Sequence, residues 1–253
     1  MTLRVVKIGG RPLEDAGWLA GFAAVAARAA GPLVVVHGGG PEISALSERL
    51  GIPVSWVGGR RVTPPEALEV AAMVLSGRTN KRVVSALLDA GADALGVSGE
   101  DGGLLVAEPV EGGALGRVGR VVSVREKLLR DLMAITGILV ISPISRGTDG
   151  APLNVNADDA ATAVARALRA EELLFVTDVS GVHDGAVERS ELTAEEAEAL
   201  VANGTARDGM AVKLEAALSA IEAGVPCVRI GSLAMLEDRA AGTAVRAGVG
   251  VIA

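Results

Sequence analysis

Aromatic residues are nearly absent from this sequence of 253 residues, which contains two Trp, two Phe and no Tyr. Proteins that bind single-stranded nucleic acid stack successive bases on aromatic side chains, so this scarcity argues against that class. Runs of basic residues are also missing, and the formal net charge is −7. Nucleic acid and anionic membranes, which are bound through clustered lysine and arginine, are therefore not expected as partners.

Cysteine and histidine are equally scarce. The single Cys227 excludes an internal disulfide and fits a reducing compartment, and two histidines are too few for a histidine-rich metal site. No run approaches the roughly 20 apolar residues that cross a bilayer. The few apolar residues before Lys7 are too short for a signal peptide. We therefore expect a cytoplasmic protein without a membrane partner.

Two apolar segments end abruptly in glycine. Residues 33–36 read as a buried strand and run into His-Gly-Gly-Gly-Pro at residues 37–41; residues 5–8 do the same before Gly9 and Gly10, with Lys7 inside the strand. Bare glycine amides followed by a helix start are a common way to hold an anion. A plain tight turn is the alternative for either loop taken alone.

Strands and helices alternate along the chain, which predicts an α/β fold with a mostly parallel sheet covered on both faces. The predicted helices cover residues 14–30, 42–50, 64–76, 80–90, 123–136, 157–170, 193–204 and 208–224. The predicted strands cover residues 2–8, 33–36, 54–57, 94–98, 138–144, 173–177, 225–230 and 249–253. Residues 99–122 carry turn signals and predict a β-hairpin projecting from the sheet. Capping boxes are expected at Thr63, Ser123 and Thr193.

Several polar residues lie at strand ends or helix starts, where open α/β sheets bind ligands. Lys7 precedes a glycine pair and would face an anion there, although its stem could equally pack while its head reaches solvent. Lys213, near a helix start, has a solvated helix face as its alternative. Asp178 ends a buried strand before Ser180 and Gly181, where an ordinary turn is the alternative.

Two further groups of polar residues follow the same logic. Asn154, Asn156 and Asp158 are spaced by two before a helix and exceed what one helix cap needs. Arg61 follows a glycine pair and is suited to grip a carboxylate, with a surface salt bridge as the alternative. We interpret His37 as a structural residue of the glycine turn.

Two glycine loops, two lysines and a buried acid, with no nucleophile beside a base, suit phosphoryl transfer, in which a protein mainly positions groups and neutralises charge. Neither the P-loop motif nor the protein-kinase motifs are present. The phosphate must therefore be held in another way.

The chain resembles the amino acid kinase family in seven motifs that occur in the family's order. They are VVKIGG at residues 5–10, VVHGGGP at 35–41, GRRVT at 59–63, NKRVV at 80–84, NVNAD at 154–158, TDVSGV at 177–182 and DGMAVK at 208–213. The resemblance implies a three-layer αβα sandwich. It also implies transfer of the γ-phosphoryl of ATP, with Mg²⁺ held mainly through the phosphates, to the side-chain carboxylate of N-acetyl-L-glutamate in arginine biosynthesis. The N-terminal lobe, residues 1–166, would bind the acyl amino acid, and residues 167–253 would bind ATP.

The resemblance also implies roles for individual residues. Lys7 and Lys213 would stabilise the transferring phosphoryl, and Asp158 would hold both lysines. The substrate would be bound by Gly39, Gly40, Arg61 and Asn154. The phosphates and nucleotide would be bound by Gly10, Asp178, Val179, Ser180, Gly181, Val182, His183, Thr205, Ala206, Arg207 and Gly209. No protein metal ligand is expected.

Two features depart from the family pattern. Gly58 stands where relatives often have Asn, and Arg60 stands where an apolar residue is common, so a second arginine could widen carboxylate recognition. The chain also starts almost at its first strand, without the N-terminal helix of arginine-inhibited hexamers, which predicts an arginine-insensitive homodimer. The alternatives are a kinase for N-succinylglutamate or for carrier-protein-linked glutamate or aminoadipate, and a non-catalytic nucleotide-binding protein on the same fold.

Overall fold

The computed structural model describes residues 3–10, 12–29, 31–110 and 114–248. The strands are β1 (Arg4–Ile8), β2 (Leu33–His37), β3 (Trp56–Val57), β4 (Arg60–Arg61), β5 (Ala94–Gly99), β6 (Leu105–Pro109), β7 (Val118–Val124), β8 (Ile138–Gly147), β9 (Pro152–Val155), β10 (Glu172–Val176), β11 (Val182–Asp184), β12 (Val187–Arg189), β13 (Glu191–Thr193), β14 (Val228–Gly231) and β15 (Thr243–Arg246). The helices are α1 (Ala16–Ala27), α2 (Gly40–Arg49), α3 (Pro65–Ala72), α4 (Asn80–Asp89), α5 (Glu126–Ile135), α6 (Ala157–Leu168), α7 (Ala194–Ala202) and α8 (Asp208–Glu222).

One large sheet runs through the described part of the chain in the order β13-β15-β14-β10-β1-β2-β8-β6-β7-β9, with β5 also paired to β8. Its centre, β14-β10-β1-β2-β8, is parallel. Antiparallel pairs join β14 to β15, β6 to β7 and β8 to β9. The sheet is therefore mixed, and the prediction of a mostly parallel sheet is not confirmed. The short strands β9, β13 and β15 carry too little hydrophobic pattern to be predicted.

The central strands are buried on both faces, as their apolar runs predict, and in β1 only Lys7 is partly exposed. Val5 and Val34 pack on one face with apolar residues of α6 and α8, whereas Val6 and Val35 pack on the other face with α1 and α4. This gives the three layers of an αβα sandwich. The division into lobes near residue 166 remains a prediction, since the main sheet contains strands from both halves.

The connections also differ from the sequence prediction. The hairpin predicted at residues 99–122 is formed by β6 and β7, which do not project from the sheet, because β6 pairs with β8 and makes the hairpin part of it. Thr193 forms the predicted capping box, but Thr63 donates its hydroxyl to the Arg61 carbonyl instead, and Ser123 lies in β7. The predicted strand at residues 249–253 lies outside the described residues.

The helices predicted at residues 64–76 and 80–90 are joined without a break. A π-helical segment, Met73–Thr79, connects α3 to α4, although Gly77 lies within it. Such wide turns are rare and occur often at functional sites. Here the segment contributes Leu75 to a cavity wall and Arg78 to an ion pair.

Glu42, in the first turn of α2, joins that helix to the segment after α3. Its buried carboxylate pairs with Arg82 of α4 and with Arg78, whose Nε lies 3.3 Å from Oε2.

Removing a buried carboxylate that accepts charged hydrogen bonds costs about 2 kcal/mol of unfolding free energy, and we expect this loss for Glu42→Ala in urea denaturation. Glu126→Ala, which breaks an exposed pair with Arg130, should cost less than about 1 kcal/mol. Equal losses for the two variants would contradict this assignment.

Candidate active site

Two cavities meet at the carboxyl ends of β1 and β10. The first cavity, of about 260 Å³, is walled by both glycine loops, by the β3–β4 hairpin and by the start of α6. The second cavity, of about 840 Å³, lies between the loop after β1 and residues at the ends of β10 and β14. Lys7 and Gly10 line both cavities. A group transferred from one cavity to the other would therefore pass these two residues.

Lys7, which lines the first cavity, forms an ion pair with Asp158 of α6. The Lys7 Nζ lies 2.9 Å from Oδ1 of Asp158, and both side chains are largely buried. Asn156 caps α6 by accepting a hydrogen bond from the Asp158 backbone amide, at 2.7 Å. The cap fixes the first turn of α6, and with it the position of the carboxylate that orients Lys7.

Lys213 of α8 lines the second cavity and interacts electrostatically with Lys7 and Asp158. Burial lowers the pKa of Lys213, and the positive charge of Lys7 lowers it further, whereas Asp178 and Asp158 raise it. Its Nζ donates to the Gly209 carbonyl at 3.3 Å. Two lysines, predicted from distant parts of the chain, are thus brought together with Asp158 and Asp178 around one point.

The two glycine loops touch backbone to backbone. A Cβ on Gly10 would lie 2.8 Å from the Gly39 backbone and 2.9 Å from the Gly40 nitrogen, and a Cβ on Gly39 would lie 2.7 Å from Leu75. The Gly38 amide donates to the Ile8 carbonyl at 3.0 Å. Only glycine fits this close approach, which leaves amide groups at the start of α2 facing the first cavity.

Arg61 is a buried cation in the wall of the first cavity. Its Nη2 donates to the Gly40 carbonyl and to the Ser44 hydroxyl, both at 2.8 Å, and its guanidinium lies 4.4 Å from the Trp56 ring centre. Burial lowers its pKa. Among the described residues no carboxylate lies within ion-pairing distance of Arg61. Its remaining donors are suited to an incoming carboxylate.

Asn154 stands beside Arg61 in the same cavity. Its Nδ2 donates to the Thr63 hydroxyl at 3.2 Å, and that hydroxyl donates to the Arg61 carbonyl at 2.8 Å. The chain of hydrogen bonds fixes the amide of Asn154 relative to Arg61. Gly39 and Gly40 line this cavity too, so the four predicted substrate residues share one cavity.

The predicted nucleotide residues are only partly gathered around the second cavity. Gly10 and Asp178 line it with Lys213, but the described lining does not include residues 179–183, residues 205–207 or Gly209. Residues 179–183 continue from Asp178 into β11, where the buried Val182 donates its amide to Thr243. The Ser180 hydroxyl donates to Glu188, whose carboxylate lies 3.8 Å from His183. The sequence Thr205, Ala206, Arg207 leads into α8, and the Arg207 Nε donates to the Gly204 carbonyl.

Neither tryptophan is among the predicted site residues, yet each lines a cavity. Trp56 lines the first cavity, and Trp18 lines the second together with Asp15 and Ser232. Trp18 also stacks on Phe22, with ring centres 5.8 Å apart. Their rarity in the sequence is a signal that could have drawn attention to them.

His37 is fully buried behind the glycine loop, as its structural interpretation predicts. Its Nδ1 lies 3.0 Å from the Gly38 carbonyl and its Nε2 lies 3.3 Å from the Asn80 amide nitrogen, which assigns the proton to Nδ1. Burial, opposed by the hydrogen bond to Gly38, lowers the pKa of His37 to about 4.

This lowered pKa makes stability depend on pH. Between about pH 6.5 and pH 4 the unfolded chain binds a proton that the folded protein excludes, so the free energy of unfolding falls as the pH falls. We expect His37 to account for a loss of about 3 kcal/mol between pH 7 and pH 4. Urea denaturation of wild type and His37→Asn measures the difference, and an identical loss in the variant would contradict it.

The described residues contain neither a metal-binding cluster nor a helix that could span a membrane. No three His, Cys, Asp or Glu side chains there are placed to hold a metal ion. No helix within the described ranges has the length and apolar character needed to cross a bilayer.

Most of the chain is similar in sequence to proteins of one known family. The profile of the amino acid kinase family matches residues 2–232. The acetylglutamate kinase of Roseiflexus sp. (strain RS-1) is 49% identical over 231 residues, which is 90% of this chain and 88% of that protein. The acetylglutamate kinase of Chloroflexus aurantiacus (strain J-10-fl) is 46% identical over 241 residues, which is 94% of this chain and 94% of that protein.

Solved structures show the same fold. The N-acetylglutamate synthase of Neisseria gonorrhoeae, complexed with coenzyme A and N-acetyl-glutamate, has a TM-score of 0.84 at 25% identity, covering 98% of this chain and 60% of that one. The carbamate kinase of Giardia lamblia bound to AMP-PNP has a TM-score of 0.74 at 18% identity, covering 98% and 99%. The latter likeness concerns the fold alone.

Proposed function

The chain belongs to the amino acid kinase family, and from that membership and the two joined cavities we propose that it is an acetylglutamate kinase. It transfers the γ-phosphoryl of ATP to the side-chain carboxylate of N-acetyl-L-glutamate, a step of arginine biosynthesis. The observation that carries the proposal is the common wall of the cavities, where Lys7 and Gly10 face both. The acceptor occupies the first cavity and ATP the second.

The reaction needs few groups from the protein. A carboxylate oxygen of the acceptor forms a bond to the γ-phosphorus, and the bond from that phosphorus to the bridging oxygen breaks, so its electron pair leaves with ADP. The attacking carboxylate is already ionised near neutral pH, so no general base is required. Lys7 and Lys213 offset negative charge on the transferring phosphoryl, and the amides of Gly10, Gly39 and Gly40 donate hydrogen bonds to it.

The acceptor is positioned by its other carboxylate. Arg61 binds the α-carboxylate with donors not engaged by Gly40 and Ser44, and Asn154 faces the acylated nitrogen. Asp158 holds Lys7 between the two cavities. Mg²⁺, which supplies charge neutralisation when bound with ATP, would be held mainly by phosphate oxygens and water, with Asp178 in the same cavity.

The nucleotide assignment rests on fewer contacts. Asp178 faces the second cavity, and we propose that residues 179–183, Thr205, Ala206, Arg207 and Gly209 bind the outer part of the nucleotide. The proposal also includes a cytoplasmic homodimer. The buried free thiol of Cys227 is compatible with a reducing compartment.

An acceptor panel tests the function. We expect ADP release with N-acetylglutamate, and Arg61→Leu should raise the acceptor KM by about 10-fold to 100-fold, because a charge-assisted contact is lost. Turnover only with N-succinylglutamate, or only with glutamate or aminoadipate attached to a carrier protein, would replace the proposed acceptor. No turnover with any of them, together with intact ATP binding, would identify a non-catalytic nucleotide-binding protein.

A further inference from the structure

Two adjacent arginines of the β3–β4 hairpin line the first cavity and reach different helices. Arg61 reaches α2, where it binds Gly40 and Ser44. Arg60 reaches α6, where its Nη2 lies 3.7 Å from Oδ2 of Asp159. The hairpin and the start of α6 are both walls of the first cavity, so the Arg60–Asp159 pair joins one wall to the other.

Arg60 stabilises the ionised form of the Asp159 carboxyl. Burial raises the pKa of the Asp159 carboxyl, the charge of Arg60 lowers it, and the neighbouring Asp158 raises it. Asp158 itself pairs with Lys7. One turn of α6 thus touches both the hairpin above the first cavity and the lysine between the cavities.

We propose that Arg60 and Asp159 are positioning residues that hold the β3–β4 hairpin against α6, so that Arg61 and Trp56 face the acceptor. This inference rests on the proposed function. It also gives Arg60 a partner within the protein, so the second arginine strengthens the wall instead of binding a further carboxylate of the acceptor.

The pair is partly exposed, with about two fifths of each side chain accessible (38% and 41%). Such pairs change an equilibrium by up to about fivefold. We therefore expect Arg60→Leu and Asp159→Asn each to raise the acceptor KM by about threefold to fivefold. The kcat and the KM for ATP should change by less than about twofold, because neither side chain reaches the transferring phosphoryl.

A charge exchange separates this role from general packing. Arg60→Glu should raise the acceptor KM more than Arg60→Leu does, since three carboxylates then lie together. Adding Asp159→Arg should bring KM back to within about twofold of wild type, and high salt should reduce the effect of each single variant. If the increases in KM of Arg60→Glu and Asp159→Arg simply multiply in the double variant, the proposal is overturned. It is also overturned if the wild type turns over N-succinylglutamate and N-acetylglutamate equally and Arg60→Leu loses only the activity with N-succinylglutamate, because Arg60 would then bind the acceptor.

Hydrogen exchange of the hairpin amides gives a readout without substrate. Exchange at residues 56–61 should be faster in Arg60→Leu and in Asp159→Asn, and should return to the wild-type rate in the exchanged pair. Unchanged exchange in the single variants would overturn the positioning role. Absence of wild-type turnover would instead refute the proposed function, and hydrogen exchange would still decide the role of the pair.

Discussion

Replacement of Lys213 by alanine is expected to lower kcat by about 100-fold to 1,000-fold, with a change of less than about fivefold in the acceptor KM. The reason is that Lys213 and Lys7 line the second cavity together, where the proposed mechanism places the transferring phosphoryl. A cation placed there in advance stabilises the transition state more than the bound substrates. Steady-state kinetics with varied acceptor and varied ATP measure both constants.

Lys213 is a better probe than Lys7. Removing Lys7 also leaves Asp158 without the lysine 2.9 Å away, so a loss of activity would mix two causes. Lys127→Ala, at an exposed lysine of α5 paired with Asp131, is the matched control and should leave kcat unchanged. Lys213→Arg, which keeps the charge in a different shape, should lose less than the alanine variant. A large rise in KM at constant kcat would assign Lys213 to binding instead.

The lowered pKa of Lys213 adds a pH signature. Loss of its proton removes the cation, so kcat/KM should fall as the pH rises through that pKa, which burial and Lys7 hold below the usual lysine range. Bound phosphate would raise the pKa, so the fall in kcat should lie at higher pH. In Lys213→Ala this alkaline limb should be absent.

Replacement of Gly10 by alanine is expected to lower kcat/KM by about 100-fold. The new methyl group would lie 2.8 Å from the backbone of Gly39 and 2.9 Å from the nitrogen of Gly40, and neither loop can yield without turning its amides. A displacement of reacting groups by about 1 Å costs on the order of 100-fold in rate. Since Gly10 faces both cavities, the variant should lose affinity for acceptor and ATP together.

Gly9→Ala separates this effect from a general loss of backbone freedom. A Cβ there would meet Pro12 at 3.6 Å, which is an ordinary contact. We expect its loss in kcat/KM to be at least tenfold smaller than that of Gly10→Ala. Comparable losses would show that the contact between the two loops is not what restricts Gly10 to glycine.

The parts of the fold that could be predicted from sequence are those set by local pattern. Apolar runs identified β1, β2 and β10, with Lys7 as the interruption in β1, and the capping box at Thr193 follows from residues three apart. At Thr63 the same local pattern was wrong, because the hydroxyl donates to the carbonyl of Arg61, two residues earlier, and accepts a hydrogen bond from the distant Asn154. The antiparallel strands at the sheet's ends are short and depend on neighbours that sequence pattern does not reveal.

The site follows the same division. Glycines and lysines at strand ends and helix starts pointed to the region where Lys7, Gly10 and Lys213 meet, because α/β sheets bind ligands at that edge. The Arg60–Asp159 pair could not be predicted, since it joins residues 99 positions apart through the fold. For the nucleotide, the sequence pointed to residues 179–183 after Asp178. In the structure, α1 and the loop after β14 line the second cavity instead.

The scarcity of aromatic residues has a practical consequence for the two cavities. With no tyrosine in the chain, its near-ultraviolet fluorescence comes from two tryptophans, and each lines a different cavity. Trp56 lies over Arg61, where the acceptor would bind, and Trp18 lies where ATP would bind. The protein therefore carries a separate intrinsic optical reporter for each substrate, and a single Trp-to-Phe exchange would silence one while leaving the other to be read alone.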